Sequence, residues 1–362
     1  MLIGDQNIQS IWYDLETDAV NIIDQTRLPH EFEIITLKTL HDACHAITTM
    51  QVRGAPLIGV TAAYGLYLAL RKDPAVLEQA IKELLATRRT AVNLRWALQR
   101  SEQVLIPTTL RQRAAKALET AQLLEKEDIA ICQSIGEHGA TILKALWKEK
   151  QSSKSVLNVL THCNAGALAT VDWGTALAVV YKAVAAGVPI HVWVDETRPR
   201  SQGASLTAWE LSKHGVSNTL IVDNAGGHLM QNGKVNMCIV GSDRTASNGD
   251  VCNKIGTYMK ALCAYDNNIP FYVALPESSI DFNLKSGINK IEIEERSNKE
   301  VTHIRGINSL GELSSVKIVP DMVKSHNPGF DVTPARLVTK LITDKGICNA
   351  NSKSISELFK NN

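Results

Sequence analysis

The sequence lacks an excess of charge of either sign, because 38 Lys and Arg face 37 Asp and Glu across 362 residues. A domain that binds a nucleic-acid backbone usually carries a basic excess, and a solvating tail carries a block of like charges. We find neither pattern. We therefore expect small molecules or further copies of the chain as partners, and neither nucleic acid nor a membrane.

Long apolar runs are absent as well, since no stretch approaches the ~18 uninterrupted apolar residues of a membrane span. The opening segment MLIGDQNIQSIWYDLETD has early acidic residues and lacks the basic start and apolar core of a signal peptide. The seven cysteines are odd in number, irregularly spaced and without a CxxC pair, which argues against a disulfide framework or a zinc knuckle. Reduced thiols predict a soluble cytoplasmic protein.

Three cofactor motifs are missing. The glycines do not form GxGxxG with an acidic residue at dinucleotide spacing, GxxxxGK[ST] is absent, and there is no HExxH or cluster of histidines. These absences argue against a nicotinamide cofactor, an ATPase and metal catalysis. We therefore predict that the protein works without a cofactor and without a metal.

The length and the element pattern predict two domains, 1–150 and 151–362, at ~150 residues per domain. Short β-rich pieces cover Ser10–Tyr13, Val20–Ile23 and Phe32–Leu37, and a helical pattern runs from Thr39 to about Lys150. The polar segment KEKQSSKS, residues 148–155, is the best candidate boundary, although a simple surface loop would have the same composition.

After this segment, strands alternate with helical stretches, which predicts a parallel sheet covered on both faces. The predicted strands are Val156–Leu160, Ile190–Val194, Thr219–Val222, Met237–Val240 and Phe271–Ala274. The fold class is therefore α/β. We expect a helical N-terminal domain with a small β element, followed by a Rossmann-like parallel-sheet domain.

Three apolar runs end in polar, glycine-containing loops, and each predicts a strand, a short loop and a helix start. They are VLNVLTHCNAGALAT, PIHVWVDETRPRSQGASLTAWEL and MCIVGSDRTASNGDVCNKIGTY. Ligands of open parallel sheets bind beyond the carboxyl ends of the strands. The loops therefore bring Cys163, Gln202, Asp243, Asn253 and Lys254 toward one crevice, a set suited to acid–base chemistry on a phosphorylated substrate.

Two of these side chains are candidates for chemistry. Cys163 follows a strand and precedes small residues, so we expect free backbone N–H groups at the next helix start and a thiol acidified by that terminus and by cations. A buried structural cysteine is the alternative. Asp243, at the mouth of a strand, can hold a proton if it is desolvated, or it can pair with an arginine or cap a helix. Asp250 is either a cap or a group that orients the site.

RGAPLIGVTAAYGLYLAL is the clearest signal in the first half. Arg53 and Gly54 precede a helix with an early proline, so the helix start offers backbone donors and Arg53 offers a bidentate fork to a phosphate. A tight turn into a buried helix is the alternative. Arg88, Arg89 and Arg95 flank TAVNL; such a group is usually a solvated face, although one arginine could close over a phosphate.

These segments together resemble the methylthioribose-1-phosphate isomerases, which share their fold with regulatory subunits of a translation-initiation exchange factor. The stretches that carry the resemblance occur in consistent order over most of the chain. They are RGAPLIGVTAAYGL, TAVNL, THCNAGALAT, DETRPRSQGASLTAWEL, GSDRTASNGDVCNKIGTY, IPFYVA, IEERS and FDVTP. The resemblance implies conversion of the aldose 5-methylthioribose 1-phosphate to the ketose 5-methylthioribulose 1-phosphate, in methionine salvage, by a homodimer.

The resemblance also implies roles for individual residues. Asp243 would be the proton donor and Cys163 its catalytic partner. Substrate contacts would come from the residues that match the family motifs, namely Arg53, Gly54, Ala55, Arg88, Gln202, Asn253 and Lys254. Related isomerases accept 5-deoxyribose 1-phosphate or ribose 1,5-bisphosphate, and these substrates are the alternatives. A non-catalytic binding module on the same fold is the alternative from another class.

Overall fold

The computed structural model describes residues 2–3, 6–88, 91–149 and 155–360. Small antiparallel sheets form its first part: β1 (Leu2–Ile3) pairs with β2 (Gln6–Asn7), and β3 (Ile11–Asp14), β4 (Ala19–Ile23) and β5 (Ile34–Leu37) form a meander. The last three lie within two residues of the three strands predicted from the sequence. The small β element of the N-terminal half is therefore confirmed.

Helices then follow, and α2 lies at their centre. They are α1 (Leu40–Thr49), α2 (Ala55–Lys72), α3 (Leu77–Thr87), α4 (Val92–Leu105) and α5 (Leu110–Glu149). Every residue of α2 from Leu57 to Leu70 is buried. A helix that is apolar on all sides is stable only inside a protein, and α2 packs against α1, α3, α4 and α5.

The long helix α5 belongs to both halves of the molecule. Its first half packs on α2, whereas Ile135 and Leu143 lie in the core around the large sheet, next to the following helix. Ile131, Ile142 and Leu146 recur at helical spacing and pack against that same core, so this stripe of α5 is helix–helix core. The predicted division between 150 and 151 lies outside the described residues, and it stays a prediction.

The second half of the chain forms a seven-stranded sheet with helices around it. Its elements through α9 are β6 (Leu157–Thr161), α6 (Ala176–Ala185), β7 (Ile190–Asp195), α7 (Ala208–Lys213), β8 (Ser217–Ile221), α8 (Ala225–Gln231), β9 (Met237–Val240), β10 (Arg244–Ala246), β11 (Val251–Lys254) and α9 (Thr257–Asp266). The remainder are β12 (Phe271–Ala274), β13 (Ile280–Asp281), α10 (Lys299–Thr302), β14 (His303–Ile307), β15 (Leu313–Lys317), β16 (Phe330–Thr333), β17 (Lys340–Thr343), β18 (Gly346–Cys348) and α11 (Ser352–Lys360).

The strand order of the large sheet is β18-β17-β12-β9-β6-β7-β8, and only the edge strand β18 runs antiparallel to its neighbour. After β6, the strands β7 and β8 are added on one side of β6, and the next strand, β9, pairs with β6 on its other side. The carboxyl ends of β6 and β9 therefore flank a switch point, where open α/β sheets bind ligands. The α/β fold class with a Rossmann-like sheet is confirmed.

One predicted strand–loop–helix unit is wrong. After β9 the chain makes a hairpin, β10 and β11, which belongs to a second sheet of order β13-β10-β11-β16. Gly249 adopts φ +91° in the hairpin loop, a conformation that most side chains disfavour. Asn253 and Lys254 are therefore held on a strand, not in a loop. In the described ranges, no helix is both long and apolar enough to cross a membrane.

Candidate active site

A cavity opens at the carboxyl ends of β6 and β9, against the first turn of α2. It holds about 700 Å³ of space, its open mouth included. All nine residues selected from the sequence line it: Arg53, Gly54, Ala55, Arg88, Cys163, Gln202, Asp243, Asn253 and Lys254. The helical half and the sheet half each contribute to the wall. Which of these residues act in chemistry or binding stays a prediction.

Cys163 is fixed through its backbone. It follows β6 by two residues and adopts φ +66°, in the left-handed region that residues other than glycine rarely occupy. Its N–H donates to Thr197 Oγ1 at 2.8 Å, and its carbonyl accepts from Thr207 Oγ1 at 2.7 Å. These two hydrogen bonds hold the unusual conformation and fix the half-buried thiol at the cavity wall.

The helix start after Cys163 does not offer free donors, which corrects the sequence-based expectation. The short 3-10 helix Ala167–Ala169 is preceded by a loop, and the N–H groups of Ala167 and Leu168 donate to the carboxylate of Glu210 at 2.6 and 3.4 Å. Glu210 is fully buried and comes from α7, which is remote in sequence. A protein carboxylate therefore occupies the position that we expected an anionic ligand to take.

Asp243 differs from Cys163 in that its side chain is free. Its backbone N–H donates to Cys252 O at 3.0 Å, but its carboxyl forms no hydrogen bond with any residue that the structure describes. Burial raises the pKa of this carboxyl, and it outweighs the opposing effects of Lys254, Arg88 and Arg53. A carboxyl with a raised pKa can keep a proton and deliver it.

Arg53 supplies a buried positive charge, but, contrary to the sequence-based prediction, its guanidinium nitrogens are not all free to bind a phosphate. Its Nη1 donates to Asn164 Oδ1 and its Nη2 to Asn164 O, both at 2.7 Å. Asn164 donates in turn to Thr207 Oγ1 and to Glu210 Oε2. Since a guanidinium carries five N–H groups, the remaining ones are available to a ligand. Arg53 is thus a rigid cation with part of its donor set already used.

Gly54 allows α2 to begin at the cavity. Its φ of +94° favours glycine, and a Cβ at this position would come within 2.3 Å of Ala169 O. Ala55 and Pro56 form the first turn of α2 and line the cavity. The N-terminus of an 18-residue helix carries a partial positive charge, which favours a negatively charged ligand.

Strand β11 presents Asn253 and Lys254, and both are buried. Lys254 Nζ donates to Gly329 O at 3.1 Å and lies 4.7 Å from the ring centroid of Phe330. Burial lowers the pKa of Lys254, whereas Cys163 and Asp243 act to raise it. Asn253 Nδ2 donates to Thr257 Oγ1 at 3.1 Å. The ammonium group is therefore held at the cavity wall beside the two candidate reactive groups.

Arg88 and Gln202 complete the wall. Arg88 follows α3 and forms an ion pair with Glu294 at 3.2 Å; Arg89, the next arginine of the predicted group, lies outside the described residues. Gln202 is buried, and its Oε1 accepts no hydrogen bond from the described part of the chain. A buried acceptor without a partner is costly, so Gln202 is suited to bind a ligand hydroxyl.

Asp250, the residue with two alternative roles, is a structural anchor. Its Oδ1 accepts from the N–H of Ala335 at 2.9 Å, and its Oδ2 accepts from the N–H of Gly287 at 3.0 Å. It does not line the cavity. These bonds join the β10–β11 hairpin to two later loops.

His162 and Asn164, which flank Cys163, were not predicted from the sequence. The placement of both next to a candidate thiol, after a strand, was the available signal. His162 also belongs to the one group of described residues whose donor atoms could converge on a metal, together with Asp195 and Asp223.

Comparison with known proteins gives a consistent result. Residues 51–350 match the Initiation factor 2 subunit family. The chain is 56% identical over 353 residues to methylthioribose-1-phosphate isomerase of Methylocella silvestris, covering 97% of this chain and 96% of that protein.

Two solved structures have the same fold. The 5-methylthioribose 1-phosphate isomerase of Pyrococcus horikoshii superposes with a TM-score of 0.84 at 38% identity, covering 99% of this chain and 97% of that one. A structure described as translation initiation factor eIF-2B, subunit delta, from A. fulgidus gives 0.80 at 38% identity, with 98% and 100% covered. On the family match and on this identity over nearly its full length, the chain belongs to the Initiation factor 2 subunit family.

Proposed function

We propose that the protein is an aldose–ketose isomerase that converts 5-methylthioribose 1-phosphate to 5-methylthioribulose 1-phosphate. The observation that carries this proposal is the pairing of Asp243, whose pKa is raised by burial, with Cys163 in one cavity. The curated relative at 56% identity is named for this activity. Fold alone would not suffice, because one fold can host several functions.

The reaction moves one hydrogen from C2 to C1 and one proton from the C2 hydroxyl to the ring oxygen, and it needs no external oxidant or reductant. The phosphate on C1 prevents the sugar ring from opening to a free aldehyde, so an acid must protonate the ring oxygen while C2 loses hydrogen. Asp243 is the proposed acid, and Cys163 is its proposed partner beside C1 and C2. C2 is oxidised from alcohol to ketone as C1 is reduced: the hydrogen of C2 reaches C1, and the proton lost by the C2 hydroxyl replaces the one that Asp243 delivers to the ring oxygen.

Three positive charges at the cavity suit the phosphate. Arg53, Arg88 and Lys254 line the cavity, and the N-terminus of α2 adds a partial positive charge there. Arg53 comes from the helical half and Lys254 from the sheet half. A substrate bound by both would hold the two halves together and exclude water from the open-chain intermediate.

The apolar wall favours the methylthio group over a second phosphate. Met50, Pro276 and Phe330 line the same cavity. A thioether loses little by leaving water for such a wall, whereas a phosphate there would need additional partners. Ribose 1,5-bisphosphate is therefore the least favoured of the three candidate substrates, and 5-deoxyribose 1-phosphate is intermediate.

A non-catalytic binding module is the second candidate function, favoured by the likeness to the A. fulgidus structure described as an initiation-factor subunit. A binding module needs neither a desolvated acid nor a thiol in an unusual backbone conformation. The presence of both in one cavity supports the enzyme.

Incubation of the pure protein with each of the three sugar phosphates, followed by NMR, tests the proposal. We expect the unaltered protein to form a ketose fastest from 5-methylthioribose 1-phosphate. The Asp243→Asn variant should form it at least ~10²-fold more slowly. Absence of a ketose from all three would support the binding module. Substrate deuterated at C2 separates the two routes: a hydride shift retains the label at C1, and proton transfer through Cys163 exchanges it with water.

We infer a homodimer, on the family resemblance, and a cytoplasmic location, since the seven cysteines are all free and suit a reducing compartment. Sedimentation of the pure protein tests the first statement, and fractionation of cells tests the second.

A further inference from the structure

His162 lies between the end of β6 and Cys163, and its ring is buried with 1% of the residue exposed. Nδ1 is 2.8 Å from Asp195 Oδ2, and Nε2 is 2.8 Å from Ile255 O. The ring therefore spans from the end of β7 to the residue after Lys254. It also lines the cavity.

Both neighbours of the ring are hydrogen-bond acceptors, which determines its protonation. A carbonyl oxygen can only accept, so Nε2 must donate to Ile255. Lys260 Nζ lies 3.1 Å from the same Asp195 oxygen, and this ammonium favours the ionised carboxylate. An ionised carboxylate also only accepts, so Nδ1 must donate as well. A ring that donates from both nitrogens is an imidazolium.

The charges that face the ring come from several elements. Asp195 ends β7, Asp223 Oδ1 in the segment before α8 lies 4.0 Å from Nδ1, Lys260 comes from α9, and Asp331 in β16 is within electrostatic range. The positive ring therefore has its counter-charges within the fold.

A metal ion is a poorer occupant of this cluster than the two protein cations. The donor set His162, Asp195 and Asp223 would suit a divalent ion, but the Lys260 ammonium already contacts the Asp195 oxygen that the ring uses. Lys260 Nζ also donates to the carbonyl of Asp223. His162 Nδ1 and Asp195 Oδ2, two of the atoms that a metal would need, are therefore already bonded to each other, and Lys260 holds the same carboxylate oxygen.

We propose that His162 is a positioning residue: as an imidazolium clamped between Asp195 and Ile255, it fixes Cys163 relative to Lys254. The proposal rests on the proposed isomerase function. His162 and Cys163 are consecutive, as are Lys254 and Ile255, so one ring joins the thiol segment to the ammonium segment. Thr197 reinforces this link, because its Oγ1 accepts from Cys163 N and donates to Asp195 O.

Turnover of His162→Gln tests the positioning role, with His191→Gln as the control. His191 is a half-buried histidine of β7 that bonds Ser217 away from the cavity. Misplacement of a reacting group by about 1 Å can cost ~10²-fold in rate. We expect kcat of His162→Gln to fall ~10-fold to ~10²-fold with a smaller change in KM, and the control to keep its rate. Equal losses in both variants would overturn the proposal.

Asp195→Asn tests the carboxylate end of the clamp. The substitution keeps the size of the side chain but removes the charge that faces His162 Nδ1 at 2.8 Å, so kcat should fall in the same way as in His162→Gln, with a smaller change in KM. An Asp195→Asn protein that keeps its kcat would overturn the clamp.

Nitrogen NMR of ¹⁵N-histidine-labelled protein provides a test that needs no turnover. The His162 signal, identified by its loss in His162→Gln, should show protons on both ring nitrogens at neutral pH. A single ring proton, or one tightly bound divalent ion per chain by elemental analysis, would contradict the proposal. If no ketose forms but both protons are present, the proposed function fails and the clamp remains.

Discussion

Two adjacent strands of the large sheet lead to reactive groups that are held in opposite ways. After β6, the backbone of Cys163 is hydrogen-bonded on both sides, to Thr197 and Thr207, and its φ is positive. After β9, the backbone of Asp243 is fixed by one bond to Cys252, and its carboxyl has no hydrogen-bond partner among the described residues.

The difference indicates that the two groups contribute to the proposed reaction in different ways. A fixed backbone places the thiol, and a strained conformation that the surroundings maintain is typical of a functional site. A half-buried carboxyl without a hydrogen-bond partner, with its pKa raised by desolvation, holds a proton more readily than a paired carboxylate would. We conclude that position matters most for Cys163, and that proton affinity matters most for Asp243.

The largest expected effect is that of Asp243→Asn, which keeps the shape of the side chain but removes the titrating proton. We expect turnover to fall at least ~10²-fold. The raised pKa means that the folded state binds this proton more tightly than the unfolded state, so the stabilisation is lost as pH rises through that pKa. At neutral pH the melting temperature of Asp243→Asn should therefore equal or exceed that of the unaltered protein.

The matched control is Asp266→Asn, at the exposed end of α9. It should change neither turnover nor melting temperature. Near-normal turnover in folded Asp243→Asn would remove its assigned role.

Cys163→Ser should have the next largest effect. Serine fits the same space but lacks the acidity and nucleophilicity of a thiol, so we expect a fall in kcat of ~10-fold or more with little change in melting temperature. Cys263→Ser, a half-buried cysteine outside the cavity, serves as the control. A Cys163→Ser protein that loses stability but keeps its rate per folded molecule would make the thiol structural.

Arg53→Ala should raise KM for the phosphorylated sugar and lower kcat, because Arg53 contributes charge and joins the helical half to Asn164. A lost charged hydrogen bond predicts a reduction in kcat/KM of ~10-fold or more. A sugar without the 1-phosphate should be little affected. Arg71→Ala, at the far end of α2, is the control, and equal kinetics in both variants would place the substrate elsewhere.

Chelation should have the smallest effect. No step of the proposed reaction uses a metal, so activity should persist after exhaustive chelation, measured as initial rate before and after dialysis. Activity that disappears on dialysis and returns with one divalent metal would show that the acid and the thiol are not sufficient.

The sequence was most informative where the reason for a structure is local. Apolar runs identified β6, β7, β9 and β12, and the polar residues that follow parallel strands had to lie near one edge of the sheet. The β10–β11 hairpin was missed although Asn248–Gly249 is a strong hairpin signal. The same polar, glycine-containing run also fits a loop before a helix, which is why the hairpin was not predicted.

Other features depend on residues remote in sequence and could not be predicted. Glu210 fills the helix start after Cys163 from more than 40 residues away. Asn164 accepts a hydrogen bond from the Arg53 guanidinium because the helical half packs against the sheet half at this point. Such pairings are decided by tertiary packing, which no local pattern encodes.

Direct titration of the Asp243 carboxyl tests most directly whether a half-buried acid with a raised pKa shares one cavity with the fixed thiol of Cys163. Carbon NMR of protein labelled at the aspartate carboxyl would follow each resonance with pH, and Asp243→Asn would identify the resonance of Asp243 by its loss. We expect this resonance to titrate above ~3.9, the ordinary value for aspartate. A titration at or below that value would mean that the carboxyl is ionised and paired, and Asp243 could then not be the acid.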